Sequence, residues 1–439
     1  LQIQISQKTI AEHKMPRKIF ISVLGTNLYA KCKYASGNFT SSETCFIQHA
    51  TLEYINAKNW TQSDTALFLL TEKAKKENWN KDITSRKDFK GVECAYKGLA
   101  KVLEDMRLPC EMRNISIPDG KDEKEIWEIF NLMYWQIKEG DEIYLDITHG
   151  FRLLPMLIMV FCDYIKFLKN AAVKYISYGN YEARDITSNT APLIDLMPFI
   201  SLQNWTVAAA SFFKNGDIRQ LNELTKTETL DMAKDRTHEK SQFAIALKEY
   251  VCNLERIVLD MQMCRGNSIY NGSEIKKLKE RKDLEEIVIA PLKPIIEKAN
   301  QSLKDFSETP NIKNGYFAAK WCAEHNLYQQ AVTIIEENMI SDLCLEMSYN
   351  YNDKESRKFV SKSLSFGAKT ICDNEAEQSE LKKIQKLDKY NKLKTIFNNI
   401  RSFRNDYNHA GISDNPSGAS ALRKNICKNI DDALKIIGD

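Results

Sequence analysis

Two stretches of this chain carry side chains that could do chemistry. The first is Arg404-Asn405-Asp406-Tyr407-Asn408-His409. Cleaving an RNA phosphodiester without a metal needs three contributions. One group takes the proton from the 2′-hydroxyl, one protonates the departing 5′-oxygen, and a cation stabilises the phosphorane-like transition state. Histidine suits proton transfer near neutral pH, and arginine grips phosphate through two parallel N–H bonds. His409 and Arg404 are therefore candidates for the acid–base group and the cation. The plainer alternative is an exposed arginine and a helix-terminal histidine beside the last carbonyls. On an ideal helix a five-residue step turns through about 140°, so one regular helix does not aim both side chains at one phosphate. Either the helix deforms there, or a second copy of the chain supplies partners across a two-fold axis. Tyr407 could stack on a base or pack on a partner subunit.

The second stretch is a pair of loops in the first half. One β-rich run ends in Leu24-Gly25-Thr26-Asn27, another in Asp146-Ile147-Thr148-His149-Gly150-Phe151-Arg152. Gly25 lets the backbone turn sharply and approach a ligand. The loops offer hydroxyls (Thr26, Thr148), an amide (Asn27), the Gly150 backbone, the His149 imidazole and the Arg152 guanidinium. The N–H groups of a helix start, aided by Arg152, form a natural anion site. The alternative is a pair of ordinary βα turns, with Asp146 or Thr148 capping the next helix. There is no G-x-G-x-x-G and no G-x-x-x-x-G-K-[ST], so neither a dinucleotide nor a nucleoside-triphosphate site is indicated.

The elements that must position these groups differ between the two halves. Strands are predicted at Lys18–Leu24, Thr65–Thr71, Cys110–Ser116, Glu142–Thr148 and Val173–Tyr178, several of them nearly continuous in apolar residues, as in strands covered on both faces. Helices are predicted between them at Phe46–Asn56, Glu93–Met106, Glu123–Lys138 and Pro155–Lys169. This alternation predicts a parallel, doubly wound sheet, with both loops at the ligand-binding edge beyond the strands' carboxyl ends. From Trp205 onward helical periodicity takes over. Leu381, Ile384, Leu387, Leu393, Ile396, Phe397, Ile400 and Phe403 define one face of a long amphipathic helix, about 379–410. A loop at Gly411–Gly418 and a last helix, about Ala419–Ile437, follow. The domains are expected at 15–204 and 205–439. Residues 1–14, which precede Met15, read as a leader that is non-native or added during cloning.

Composition narrows the classes. With 62 basic and 59 acidic side chains, the net charge of +3 makes any nucleic-acid site a local feature. No apolar run reaches membrane-spanning length. The 11 cysteines contain no C-x-x-C pair, which suits reduced thiols and a cytoplasmic location rather than a zinc ribbon or disulfide framework. No carboxylate spacing suits a catalytic metal, and none is expected. Lys169, Lys174, Lys234, Arg236 and the run Lys276–Lys282 read mostly as solvated helix faces. His49 and His325 read as structural or surface residues, and Trp127, Trp205 and Trp321 as core.

The runs SVLGTNLY, FLLTEKA, IPDGKDEKEIWEIF, DEIYLDITHGFRLLP and ISYGNYEA resemble the sensor domain of CRISPR-associated Rossmann-fold (CARF) proteins, over about Met15 to Trp205. They are most similar to the CARF–HEPN ribonucleases of type III CRISPR systems, ancillary effectors of the Csm/Csx type. The Arg404–His409 run, at the end of an apolar-faced helix, resembles the HEPN nuclease signature, with Asn405 at its polar position. The resemblance implies a sensor dimer that binds a cyclic oligoadenylate as allosteric activator. Gly25, Thr26, Asn27, Thr148, His149, Gly150 and Arg152 would line that site, with Arg152 on phosphate. It implies a composite nuclease site between paired HEPN motifs, with Asn405 positioning phosphate or histidine. Single-stranded RNA would be cut to 2′,3′-cyclic-phosphate and 5′-hydroxyl ends, with no cofactor. Two further possibilities stand. One is a non-catalytic regulator whose helical half binds a protein or nucleic acid; the other is an added ring-nuclease activity in which Thr26, Thr148 and His149 degrade the sensor's ligand.

Overall fold

The structure is a computed structural model that describes residues 15–87, 93–150, 153–234, 238–281, 292–365, 375–412 and 416–438. The suspected leader, Arg152, Arg236, Lys282 and positions 413–415 of the expected loop lie outside the described residues. The chain divides into two compact units, Leu1–Ser201 and Leu202–Asp439.

The first unit contains β1 (Lys18–Leu24), β2 (Lys33–Ser36), β3 (Phe39–Thr40), β4 (Thr65–Leu70), β5 (Ile83–Lys87), β6 (Glu93–Tyr96), β7 (Glu111–Ser116), β8 (Glu142–Asp146), β9 (Ala172–Gly179) and β10 (Thr190–Asp195). Eight of these form one sheet in the order β3-β2-β10-β9-β8-β1-β4-β7. The run from β9 to β7 is entirely parallel. In β1 (KIFISVL) every residue after Lys18 is buried. Ile19, Ile21 and Val23 join Ile129, Phe130 and Phe161 on one face; Phe20 and Leu24 join Leu52, Leu99 and Leu103 on the other. Helices Glu123–Tyr134 and Leu154–Lys169 cover the first face, and Ile47–Tyr54 and Leu99–Met106 the second. This is the doubly wound arrangement expected of a strand with two apolar faces.

Three features depart from the expected pattern. The sheet is not parallel throughout: β10 is antiparallel to β9, and β3 to β2. The expected helix Glu93–Met106 begins only at Leu99, because Glu93–Tyr96 pairs antiparallel with β5. Gly98, extended at φ −62°, ψ 154° with its N–H on Asp82 Oδ1 at 2.8 Å, separates strand from helix. Trp127 is exposed rather than core, whereas Trp205 and Trp321 are buried.

The described part of the second unit is helical, around one core that includes Phe212, Tyr316, Ile335, Leu343, Phe397, Ile400 and Ile430. Helix begins at Met197, ahead of the expected change at Trp205. The long amphipathic helix is two helices, Glu375–Ile384 and Tyr390–Asn408. The break has a tertiary cause. Lys389 Nζ reaches Asp342 Oδ1 at 2.7 Å and Glu346 Oε1 at 2.6 Å, and Tyr390 donates to the Ser363 carbonyl at 2.6 Å. Among the described residues, no helix is long and apolar enough to cross a membrane.

Candidate ligand loops and candidate nuclease motif

β1 and β8 are parallel neighbours, so the loops that follow them meet at one sheet edge. The Tyr29 and His149 rings stack, with centroids 4.2 Å apart. A Cβ on Gly25 would collide with the Tyr29 hydroxyl and lie 3.3 Å from the His149 Cβ, which explains the glycine there. Gly150 has φ +126°, and a Cβ on it would fall 2.7 Å from Leu154, so this turn also needs glycine. Thr26, Thr148 and His149 are half-buried, and Asn27 is exposed. Burial pushes the His149 pKa down to about 4, leaving a neutral imidazole at physiological pH.

Under these loops runs a polar network that the sequence reading missed. Asp146, buried at the end of β8, accepts from Thr148 Oγ1 at 2.6 Å and the Thr148 N–H at 3.1 Å on Oδ1, and from Ser22 at 2.7 Å on Oδ2. Gln48 donates to Ser22 at 3.0 Å, and the Gly179 N–H donates to Thr148 Oγ1 at 2.8 Å. Burial pushes the Asp146 carboxyl up, against the pull of its Thr148 and Ser22 bonds. Neither Asp146 nor Thr148 caps the next helix, which starts beyond Leu153 without a side-chain cap. Asp146 instead holds Thr148. Asn78 is likewise fully buried, and its Nδ2 donates to the carbonyls of Gly25 at 2.8 Å and Asn27 at 2.7 Å.

In the helical unit, Leu393, Ile396, Phe397 and Ile400 bury one face of the helix Tyr390–Asn408 and fix its rotation. Arg404 then faces inward, with Nη1 3.0 Å from Glu336 Oε2 and 4.0 Å from Glu337 Oε1. Glu336 is fully buried and also binds Arg401 Nε at 3.0 Å; Arg401 is tied in turn to Ser361 and Ser365. Burial pushes the Glu336 carboxyl up while both arginines pull it down. Asn405 and His409 are exposed. His409 is the helix C-cap, its N–H on the Asn405 carbonyl at 2.9 Å, and Ala410 and Gly411 then turn the chain with positive φ. The helix stays regular to Asn408, so it does not deform between Arg404 and His409. No signal marked Glu336, because its partners lie 65 and more residues away.

The mostly parallel sheet, with the loops after β1 and β8 at one edge, has a counterpart among known proteins. Residues 19–182 match the CARF domain of the CRISPR system endoribonuclease Csx1. That span includes all seven ligand-loop candidates and stops well short of Arg404. The chain is also 26% identical over 333 residues to CRISPR-associated protein MJ1674 of Methanocaldococcus jannaschii, a match covering 73% of this chain and 47% of that protein. The chain thus spans about half the length of that relative. Residues 19–182 are thus similar to a CARF domain.

Two outcomes follow from these buried groups. The folded His149 takes its proton only near pH 4, whereas the unfolded chain takes one near 6.5. Acidification through that window therefore favours unfolding. His149→Phe keeps an aromatic ring beside Tyr29 and removes the titration, so its melting temperature should fall less than the wild type's between those pH values. Parallel Tm–pH curves would contradict this. In the helical unit, Glu336→Ala leaves two arginines without their buried counter-charge. Urea unfolding should register a loss of about 3 kcal/mol.

Proposed function

We propose that this chain is a cyclic-oligoadenylate-activated, metal-independent endoribonuclease that acts as a homodimer in CRISPR antiviral defence. The observation that carries the reading is the setting of the Arg404–His409 run. His409 is exposed at the end of a helix, and Arg404 is held by a fully buried carboxylate, in an all-helical unit joined to a CARF domain. His409 serves as general acid/base, Arg404 stabilises the transition state, and Asn405 positions phosphate or histidine. The RNA 2′-oxygen loses its proton and attacks phosphorus. The P–O5′ bond breaks, the 5′-oxygen is protonated, and a 2′,3′-cyclic phosphate remains.

On this reading the ring is bound by Gly25, Thr26, Asn27, Thr148, His149 and Gly150, and by Arg152 on phosphate. Two features support a second copy. Arg404 faces inward on a regular helix, whereas His409 is exposed at its end, so a shared site needs a partner chain. In the sensor unit, Met156, Val160, Tyr164 and Phe167 form an exposed apolar stripe on the helix Leu154–Lys169, the kind of surface soluble chains cover by association.

His409→Ala and Arg404→Ala should each slow activated RNA cleavage about 10²–10⁴-fold while leaving ring binding and sedimentation unchanged. The measurement is cleavage of labelled single-stranded RNA with each cyclic oligoadenylate, with and without EDTA. Wild-type rates in the double variant would end the catalytic assignment. Inhibition by EDTA that a divalent metal reverses would end the metal-free mechanism.

A further inference from the structure

Asn78 lies on the π-helical turn Lys75–Trp79, a short way past the carboxyl end of β4 and so at the same sheet edge as the Gly25–Asn27 loop. Both its side-chain groups are committed. The amide nitrogen donates to two carbonyls of the β1 loop, and Oδ1 accepts from the Tyr96 hydroxyl at 2.7 Å. The tyrosine decides which way round the amide sits. Flipped, Asn78 would set its oxygen against two carbonyl oxygens and leave the Tyr96 bond to an NH₂ group.

The consequence for the loop is geometric. In a trans peptide the N–H points away from the C=O of the same plane. Drawing the Gly25 and Asn27 carbonyls inward therefore turns the Thr26 and Leu28 N–H groups outward. Among the described residues neither N–H has a hydrogen-bond partner. The Asn27 backbone between them is hydrogen-bonded to the Tyr29 hydroxyl, which pins the turn. Outward N–H groups on successive turns of backbone make a concavity suited to an anion. Lys73, Lys75, Lys76 and Lys81, against Glu72 and Glu77, leave the segment carrying Asn78 net positive.

We propose that Asn78, oriented by Tyr96, is a positioning residue that inverts the β1 loop into a cradle whose Thr26 and Leu28 N–H groups receive a phosphate oxygen. It rests on the reading that this loop meets the ligand, and it adds how the loop is made to do so. Asn78 itself touches no ligand.

The test uses the full chain with ¹⁵N-labelled threonine and leucine, and two kinds of probe. Pyrophosphate reports the cradle alone; cyclic tetra- and hexaadenylate report the whole site. In the wild type, pyrophosphate should shift the Thr26 and Leu28 amide resonances. Asn78→Asp, which cannot donate to either carbonyl, should abolish those shifts and raise the ring Kd about 10-fold or more. Tyr96→Phe keeps the buried ring but frees the amide to flip, and should give a smaller change in the same direction. If Asn78→Asp fails to fold, Tyr96→Phe decides. Unchanged amide shifts together with an unchanged ring Kd in Tyr96→Phe would overturn the proposal. Amide shifts that need Asn78, with no binding of either ring, would leave the cradle standing and remove the cyclic-oligoadenylate reading instead.

Discussion

A buried carboxylate has to be satisfied where it lies, and each unit of this protein is organised around one. Asp146 sits at the inner end of β8, opposite Ser22 in the parallel register of β1. An ionised carboxyl so placed costs several kcal/mol unless donors surround it. Ser22 supplies one bond and Thr148 two. The chain leaving β8 must therefore fold back over its own strand end. That in turn presents Thr148 Oγ1 to the Gly179 N–H on β9. The loop's path is the solution to an electrostatic demand. Glu336 makes the same demand among the helices. Meeting it joins Tyr328–Glu346 to Tyr390–Asn408 through Arg401 and Arg404, and to Lys354–Ser365 through the bonds of Arg401 to Ser361 and Ser365.

What could be read from the sequence follows from how local the determining physics is. β1, β4, β7, β8 and β9 were legible, most plainly β1 and β4, where burial on both faces leaves an almost unbroken apolar run. β2, β3 and β10 were not, because β2 and β3 are only four and two residues long and β10 owes its place partly to pairing with the distant β2. The helix break before Tyr390 was invisible for the same reason. The apolar positions Leu387 and Leu393 carry the periodicity across it, while the interruption is imposed by Asp342 and Glu346 drawing in Lys389. Among the site residues, turn chemistry announced Gly25 and Gly150. The side chains that hold the loops, Gln48, Asn78 and Ser22, look like any other polar residue until the fold brings them to bear.

The meeting of the two loops depends on an aromatic contact as well. His149 stacks on Tyr29, so the residue after Thr148 is packed against the chain that follows Asn27. The burial that makes the stack also keeps the imidazole neutral. A neutral ring adds no positive charge, so any attraction for an anion at this edge must come from backbone N–H groups and from cations around it. That distribution suits a ligand held at several points, because dipoles set by the fold require no reorganisation when the charge arrives.

The same economy governs the helical unit. A free arginine on a surface helix samples many rotamers, and ordering it on a phosphate costs that freedom. Arg404, held by Glu336, has lost it during folding, so little is left to lose on meeting a phosphate. The pairing also ties Arg404 to one side of the helix, away from the exposed end that carries His409. On the reading that both act on one phosphate, holding the arginine this firmly prevents one chain from completing the site alone. Completion then depends on association, and the concentration of cleavage-competent dimer rises with the square of the monomer concentration while dimers are scarce. Any ligand that binds the associated state more tightly than the separate chains shifts the same equilibrium toward cleavage. On that reading, the anchored arginine and the dependence on association both follow from one buried glutamate.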